Sequence, residues 1–205
     1  NTGFDPSWRY FLNVVNGTDL KFGRDIYFTY GPLGYLFYLM KLPGNTIEYW
    51  SGIVIWGIIF LFHLWMLLQL YRLYQKGKIH FWAITASVCC YLAGYYAPTR
   101  DNYLLYLMIL AVVLWAKGAK NIVLIPNLLL LLMFFGKFST FTSGFAFCIL
   151  FCIFDVLFRK NWKSIWLFLP GIILMPVCYL VYCPSIKNLF EYVAGILKIS
   201  SGWML

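Results

Sequence analysis

Long apolar runs are the feature of this sequence that most limits its fold. The stretches 53–68 and 127–135 carry no formal charge, and a helix of about 20 mostly apolar residues crosses the hydrocarbon core of a bilayer. Of the 205 residues, 62% are hydrophobic and only 11% are charged, against roughly 25% charged in a soluble domain. The sequence therefore predicts an all-α, polytopic membrane protein, and it argues against a soluble enzyme or a disordered chain.

Six membrane helices are predicted, at about 50–71, 80–96, 98–116, 121–136, 141–158 and 164–182. Pro98 can open the third helix, and Pro126 is a possible kink in the fourth. Only the residues 137–140 separate the fourth and fifth helices, so these two can meet as a broken or re-entrant pair. The chain then divides into an outer segment (1–49), a helical bundle (50–182) and a second outer segment (183–205).

The basic residues predict the orientation of the bundle. Eight of the 16 lie close to three predicted short loops, and only one acid accompanies them. Short loops rich in Lys and Arg face the cytoplasm, so both outer segments are expected outside, with a bacterial inner membrane as the expected location. The net charge of +9 then reflects these loops, and no nucleic-acid partner is predicted. The loop residues are Arg72, Lys76, Lys78, Lys117, Lys120, Arg159, Lys160 and Lys163.

The ends of the sequence suggest a piece of a larger polytopic protein. No signal peptide or membrane helix precedes the polar first 49 residues, although an exported segment of this kind normally follows one. The chain also stops within the second predicted outer segment. We therefore expect further membrane helices in the complete protein.

The first outer segment begins with a predicted amphipathic helix. Asp5 is a good N-cap before Pro6, and apolar residues follow at helical spacing until Gly17, which can end the helix. Such a helix beside a membrane span is expected in the interface. Capping alone would explain Asp5, and an active-site carboxylate is the alternative. The apolar stripe consists of Trp8, Phe11, Leu12 and Val15.

A Gly/Pro-rich, strongly aromatic loop follows at 22–35. This composition predicts turns pressed against the membrane face or lining a cavity. Arg24 and Asp25 are adjacent, so their side chains need not pair with each other. The loop is either structural, with a surface ion pair, or part of an active site at the membrane surface.

Three further residues stand out against the apolar background. Lys137 lies between two apolar runs, and a lysine at membrane depth suggests function, although snorkelling to the interface is the alternative. Arg100 and Asp101 open the third helix, where the helix dipole alone favours an acid. His63 lies within the first helix, where an interhelical hydrogen bond is the simpler explanation. The six cysteines form no disulfide framework, and no metal site is predicted.

This ordered series resembles the GT-C superfamily of polytopic glycosyltransferases, and within it the protein mannosyltransferase and aminoarabinose transferase type. Asp5-Pro6-Ser7-Trp8 is similar to the acidic outer-loop position of that family, with Pro6 where a second acid is common. Gly31-Pro32-Leu33-Gly34-Tyr35-Leu36 resembles the stretch that leads into its second membrane helix. The Arg100-Asp101 pair and Gly136-Lys137-Phe138-Ser139-Thr140 are also similar to family elements.

The resemblance implies sugar transfer from a polyprenyl-phosphate-linked donor to an acceptor on the outer face, within the lipid bilayer. Asp5 or Asp25 would accept the proton of the acceptor hydroxyl. Arg24, Arg100 and Lys137 would bind the lipid phosphate. No cofactor is required, although a divalent cation is possible.

Two other functions fit the same sequence. A transporter or flippase of lipid-linked sugars would share the outer cations, but it would need more polar residues at mid-membrane than His63, Gln69, Thr85 and Ser87. A non-catalytic membrane subunit would tolerate Asn at both Asp5 and Asp25.

Overall fold

The computed structural model describes residues 7–26, 28–96, 100–182 and 185–200. Asp5, Pro98 and Cys183 lie outside these residues. The described chain is helical, and its only β-structure is two isolated bridges. Its α-helices are α1 (Ser7–Val14), α2 (Thr46–Gln75), α3 (Phe81–Tyr96), α4 (Arg100–Ala116), α5 (Leu124–Gly136), α6 (Phe138–Arg159), α7 (Leu169–Tyr182) and α8 (Ile186–Ser200).

Three of the helical segments are long and apolar enough to cross a membrane. They are Thr46–Gln75, with 30 residues, Phe138–Arg159, with 22, and Trp162–Val181, with 20. The apolar stretches in the other three predicted spans are shorter, at Phe81–Leu92, Asn102–Ala116 and Lys120–Gly136. The predicted all-helical class is therefore confirmed, and three segments among the described residues have the length and composition of membrane spans.

The centre of the bundle is formed by α4 and α5. On α4 the buried residues recur at the spacing of one helix face and include Leu104, Met108 and Ala111, none of which is exposed to any extent. Leu130 and Met133 of α5 are equally buried. By contrast, α2 exposes a row of leucines on its outer side (Leu61, Leu64 and Leu68), as expected for a face that contacts lipid.

A single residue separates α5 from α6. Lys137 has an extended backbone (φ −141°, ψ 112°) between two helices that turn back on each other, with Gly144 of α6 lying against the sulfur of Met133. This is the broken pair that the sequence predicts. Pro126 lies in the first turn of α5, where a missing N–H is tolerated.

The N-terminal segment is folded against the bundle. After α1 the chain forms a 3-10 turn, Val15–Gly17, which ends at the predicted residue. Of the predicted apolar stripe, Leu12 and Val15 are both buried. Asn13 ties α1 to a second 3-10 helix, Gly34–Tyr38, since its amide donates to the Tyr38 carbonyl (2.8 Å) and accepts from the Met40 N–H (3.0 Å).

The second outer segment contains α8, which the sequence analysis did not predict. Tyr192 and Ile196 lie on its buried face, and Phe190 and Leu197 are exposed. The signal was present in the sequence, because Leu189, Tyr192, Val193 and Ile196 recur at helical spacing.

Short connections give the bundle two chemically different ends. We call one the N-segment end: it carries residues 7–45, the starts of α2, α4 and α6, and the ends of α3, α5 and α7. The other is the basic-loop end, which carries the connections at 76–80, 117–123 and 160–168.

Candidate functional site

The Gly/Pro loop is fixed to the break between α5 and α6. The N–H of Gly31 donates to the Gly136 carbonyl (3.0 Å), the N–H of Leu33 to the Phe135 carbonyl (2.8 Å), and the N–H of Phe138 to the Thr29 carbonyl (2.9 Å). These bonds satisfy the carbonyls at the end of α5 and the first amide of α6, which a broken helix would otherwise leave unpaired. These hydrogen bonds therefore stabilise the extended backbone of Lys137 between α5 and α6.

Lys137 is half-buried at this break. Its Nζ lies 5.3 Å from the centre of the Tyr30 ring, a cation–π distance, and the backbones of the two residues form an antiparallel bridge. The cation is thus positioned by the loop at the N-segment end.

Arg100 contacts the same segment further along. Its Nη1 donates to the Leu36 carbonyl (2.9 Å), which also accepts from Nε1 of Trp56 (2.7 Å). The guanidinium lies 5.2 Å from the centre of the Trp56 ring. Arg100 therefore joins α4, α2 and the 3-10 helix 34–38. The side chain of Asp101 is not among those that the structure describes.

Arg24 and Asp25 pair with each other at the surface. Nη2 of Arg24 lies 2.7 Å from Oδ2 of Asp25, and the same carboxylate oxygen accepts from the Lys21 N–H (2.9 Å). The hydrogen bond from Arg24 and then that from the Lys21 amide hold the pKa of Asp25 below its ordinary value. Adjacent side chains can pair here because the chain turns tightly at Gly23, which has a positive φ of 82°.

A polar cleft of about 370 Å³ opens beside these residues at the N-segment end. This volume suits a small ligand. We call it the outer cleft, in keeping with the predicted orientation. Its polar lining comes from the N-terminal segment and from the first turns of α2, namely Asn16, Thr18, Lys21, Tyr35, Glu48 and Ser51.

The hydroxyls and the carboxylate of the outer cleft are close to one another. Oη of Tyr35 lies 3.1 Å from Oγ of Ser51. Burial raises the pKa of Tyr35, the Ser51 hydrogen bond opposes that shift, and the negative charge of Glu48 adds to it. The cleft thus places a carboxylate, an ammonium group and hydroxyls around one space.

The rim of the outer cleft is apolar and exposed. Ile47 of α2 is 81% exposed and Val181 of α7 is 82% exposed, and both line the cleft. Both belong to segments long enough to span a membrane. The cleft therefore opens towards the surface that would face lipid.

The residues predicted from sequence are only partly brought together. Arg100 and Lys137 contact the same 30–36 stretch at different points, whereas Arg24 is paired at the surface. None of these three cations lines the outer cleft, and neither does Asp25. Asp5 lies outside the described residues.

Lys21 and Glu48 line the outer cleft, although neither was predicted from the sequence as a site residue. Glu48 precedes the first predicted span by two residues, and an acid in the first turn of a helix is favoured by the dipole. A signal was available in Glu48 and Ser51, two polar side chains next to the start of the first predicted span.

His63 has the predicted structural role. Its Nδ1 lies 2.6 Å from the Tyr103 hydroxyl, and its Nε2 lies 3.3 Å from the Ser87 hydroxyl, which in turn contacts the Tyr106 hydroxyl at 2.5 Å. The ring is fully buried. These interhelical bonds join α2, α3 and α4 in a closed polar cluster.

Within the described ranges, neither a metal site nor a disulfide is present. Among the described residues, no group of three or more His, Cys, Asp or Glu side chains is placed to hold a metal ion. Five cysteines in the described ranges are free thiols.

Comparisons with known proteins found no relative of this chain. No protein-family model matches it, and neither a curated protein nor a solved structure gives a significant match. The GT-C resemblance therefore depends on the short motifs alone.

Proposed function

We propose that this chain is part of a membrane glycosyltransferase, which moves a sugar from a polyprenyl-phosphate-linked donor to an acceptor at the outer face. The observation that supports this most is the outer cleft, which combines a carboxylate, a cation and hydroxyls with an opening towards lipid. The class of donor comes from the sequence resemblance. The proposed arrangement has six membrane helices, with the N-segment end outside.

The apolar, exposed rim of the outer cleft would give a lipid-linked donor access to the cleft from the bilayer. A polyprenyl chain is apolar and would lie along the exposed surfaces near Ile47 and Val181, while its phosphate and sugar enter the polar part of the cleft. Because the surrounding lipid tails are as apolar as these side chains, van der Waals packing would hold the polyprenyl chain there.

The proposed chemistry needs one base and one cation. The acceptor oxygen attacks the anomeric carbon, the bond from that carbon to the phosphate oxygen breaks, and the phosphate leaves with the electron pair. Glu48 accepts the proton of the acceptor hydroxyl, and Lys21 stabilises the departing phosphate. Both line the outer cleft, and within the described ranges neither side chain forms an ion pair.

The earlier candidates keep defined roles in this proposal. Asp5 stays a candidate base through its sequence position. Asp25 is the weaker one, because its carboxylate is already bound by Arg24 and by the Lys21 amide, and a base works best with a pKa near the working pH. Arg100 and Lys137 hold the loop that forms one wall, and they remain candidates for the phosphate.

The decisive assay uses the full-length protein in proteoliposomes with polyprenyl-phosphate mannose or aminoarabinose, and follows the release of polyprenyl phosphate. We expect Glu48→Gln to slow release by at least about 100-fold, the usual contribution of a general base. Asp5→Asn and Asp25→Asn are measured beside it. Asp19→Asn is the matched control, because Asp19 is an exposed acid of the same segment that does not line the cleft.

Two results would overturn the proposal at different levels. Full activity in Glu48→Gln, Asp5→Asn and Asp25→Asn would refute the assignment of the base. No release from either donor by the wild-type protein would refute the transferase itself.

A further inference from the structure

The basic-loop end carries a second, larger cleft, of about 630 Å³. We call it the basic cleft. Its charged lining consists of Lys120, Arg159, Lys163 and Asp155, so three cations and one carboxylate leave a net charge of +2. It lies at the opposite end of the bundle from the outer cleft and plays no part in the proposed sugar transfer.

The carboxylate in the basic cleft, that of Asp155, already has hydrogen-bond partners. Asp155 is 1% exposed, and its oxygens accept from the Asn161 side-chain amide (2.7 Å) and from Nη1 of Arg159 (3.4 Å). It therefore anchors the end of α6 to the following turn. Because its charge is offset in this way, it does not oppose an anion elsewhere in the cleft.

The lysines of the basic cleft have no such partner. In the described parts of the chain, neither Lys120 nor Lys163 takes part in an ion pair. A third lysine approaches from another connection, with the Lys78 Nζ only 3.8 Å from where a Cβ on Gly118 would lie, and Gly118 lines the cleft. All three connections at this end thus bring cations to one place.

The remaining walls indicate an amphipathic ligand. Trp115 and Trp166 line the basic cleft, and Trp166 is 59% exposed; indole rings favour the boundary between water and lipid. A second, almost entirely apolar groove of about 210 Å³ lies between α6 and α7, lined by residues such as Cys152, Ile149 and Ile172. Its lining includes Ile153, two residues before Asp155, and Ile165, the residue before Trp166, so the groove adjoins the basic cleft.

We propose that the basic cleft binds the phosphate-bearing head group of an anionic membrane lipid, while an acyl chain of that lipid occupies the groove between α6 and α7. Cation-lined clefts between membrane helices suit such head groups. The adjoining groove argues for a lipid over a soluble phosphate, since a free phosphate has no apolar part to place there.

The test titrates the full chain, in a neutral detergent, with phosphatidylglycerol or phosphatidylcholine and counts bound lipid by native mass spectrometry. Lys120→Gln/Lys163→Gln should bind phosphatidylglycerol about 30-fold more weakly, since each cation near an anionic lipid contributes on the order of 1 kcal/mol. Lys120→Arg/Lys163→Arg should bind like wild type. The control is Lys76→Gln/Lys160→Gln, which removes the same charge from exposed residues of the same end that do not line the cleft.

The groove is tested separately. Ile149→Trp should fill it and weaken binding of phosphatidylglycerol, whereas Leu150→Trp should not, because Leu150 is the next residue, is 66% exposed and does not line the groove.

Three outcomes would overturn the proposal. One is an equal loss of affinity for phosphatidylglycerol in Lys120→Gln/Lys163→Gln and in Lys76→Gln/Lys160→Gln. That result would indicate that diffuse surface charge, and not the cleft, attracts the lipid. Another is equal binding of phosphatidylcholine and phosphatidylglycerol by the wild-type protein. The third is displacement of the lipid by inorganic phosphate at similar concentrations together with no effect of Ile149→Trp, which would indicate a soluble ligand.

Discussion

The two ends of this bundle differ in how their charged groups are held. At the N-segment end, Arg24, Arg100 and Lys137 are engaged by an ion pair, a carbonyl or an aromatic ring of the folded N-terminal segment. At the basic-loop end, Lys120 and Lys163 project from short turns around an open space. One end uses much of its charge to build structure, and the other places charge around an open cleft.

This difference changes how lone charges in an apolar chain are interpreted. Lys137 looks functional because a lysine between apolar runs is costly, yet its surroundings explain much of its position structurally. The loop lysines look ordinary because positive residues are expected there, yet they converge on a cleft. The sequence alone does not distinguish these two cases, because both depend on how distant segments pack.

The largest expected effect comes from separating the Gly/Pro loop from the α5–α6 break. A Cβ on Gly31 would lie 2.5 Å from the Phe135 carbonyl oxygen and 2.8 Å from the Tyr192 hydroxyl, so Gly31→Ala must push backbone apart. We expect a loss of about 2–3 kcal/mol in the free energy of unfolding. Gly17→Ala is the control, since a Cβ there meets nothing within 4 Å. Equal stability of the two variants would show that the loop does not need its close contact with the break.

A smaller loss is expected at the basic-loop end from Asn127→Leu. The Asn127 amide donates to the Val123 and Trp166 carbonyls (2.9 and 3.3 Å) and accepts from the Gly171 N–H (2.7 Å). Losing these bonds should cost about 2 kcal/mol, mainly because the buried Gly171 N–H loses its partner. Thermal unfolding measures the cost. Unchanged stability would mean that the turn before α7 is held by apolar packing alone.

Salt should distinguish the two clefts. Raising the ionic strength from about 0.1 M to about 1 M shortens the screening length from about 10 Å to about 3 Å. Binding of phosphatidylglycerol should weaken by about tenfold under this change, because the basic cleft attracts its ligand by net charge. The charged lining of the outer cleft is Lys21 and Glu48, whose charges cancel, so donor binding there should change less. If salt weakened donor binding more than phosphatidylglycerol binding, the proposed roles of the outer and basic clefts would be contradicted.

The smallest effect concerns the surface pair of Arg24 and Asp25. Since hydrogen bonds from Arg24 and from the Lys21 amide lower the pKa of Asp25, the pair stabilises the fold at neutral pH. That contribution disappears as the pH falls through the lowered pKa. In Arg24→Gln, the carboxyl carbon of Asp25 should titrate closer to the ordinary value of about 3.9 by NMR. An identical titration midpoint in wild type and variant would show that the pair does not form in solution.

Much of the fold was predictable because apolar runs of span length permit few structures in a bilayer. The helices 50–71 and 141–158 were placed correctly, although α2 and α6 extend further, to Thr46–Gln75 and Phe138–Arg159. The added ends are polar or aromatic, so a search for apolar runs does not include them. The amphipathic α8 was missed because its apolar residues are spaced along one face and form no run.

The candidate site was much harder to predict. Lys21 and Glu48 are far apart in sequence but line one cleft in the folded chain. The pairing of Arg24 with Asp25 depends on the positive φ of Gly23, and no residue pattern states that the turn will be this tight. A sequence motif identifies one candidate site residue at a time, whereas a cleft forms only when distant segments of the chain pack together.

The most direct test of the account is whether the two ends lie on opposite sides of a membrane. Asp19→Cys and Lys160→Cys place single reporters on exposed residues, one at each end, and the wild-type protein gives the background from native thiols. In intact cells, a membrane-impermeant maleimide should label Asp19→Cys, and it should label Lys160→Cys only after the membrane is permeabilised. Labelling of both variants in intact cells, or of Lys160→Cys alone, would contradict the account.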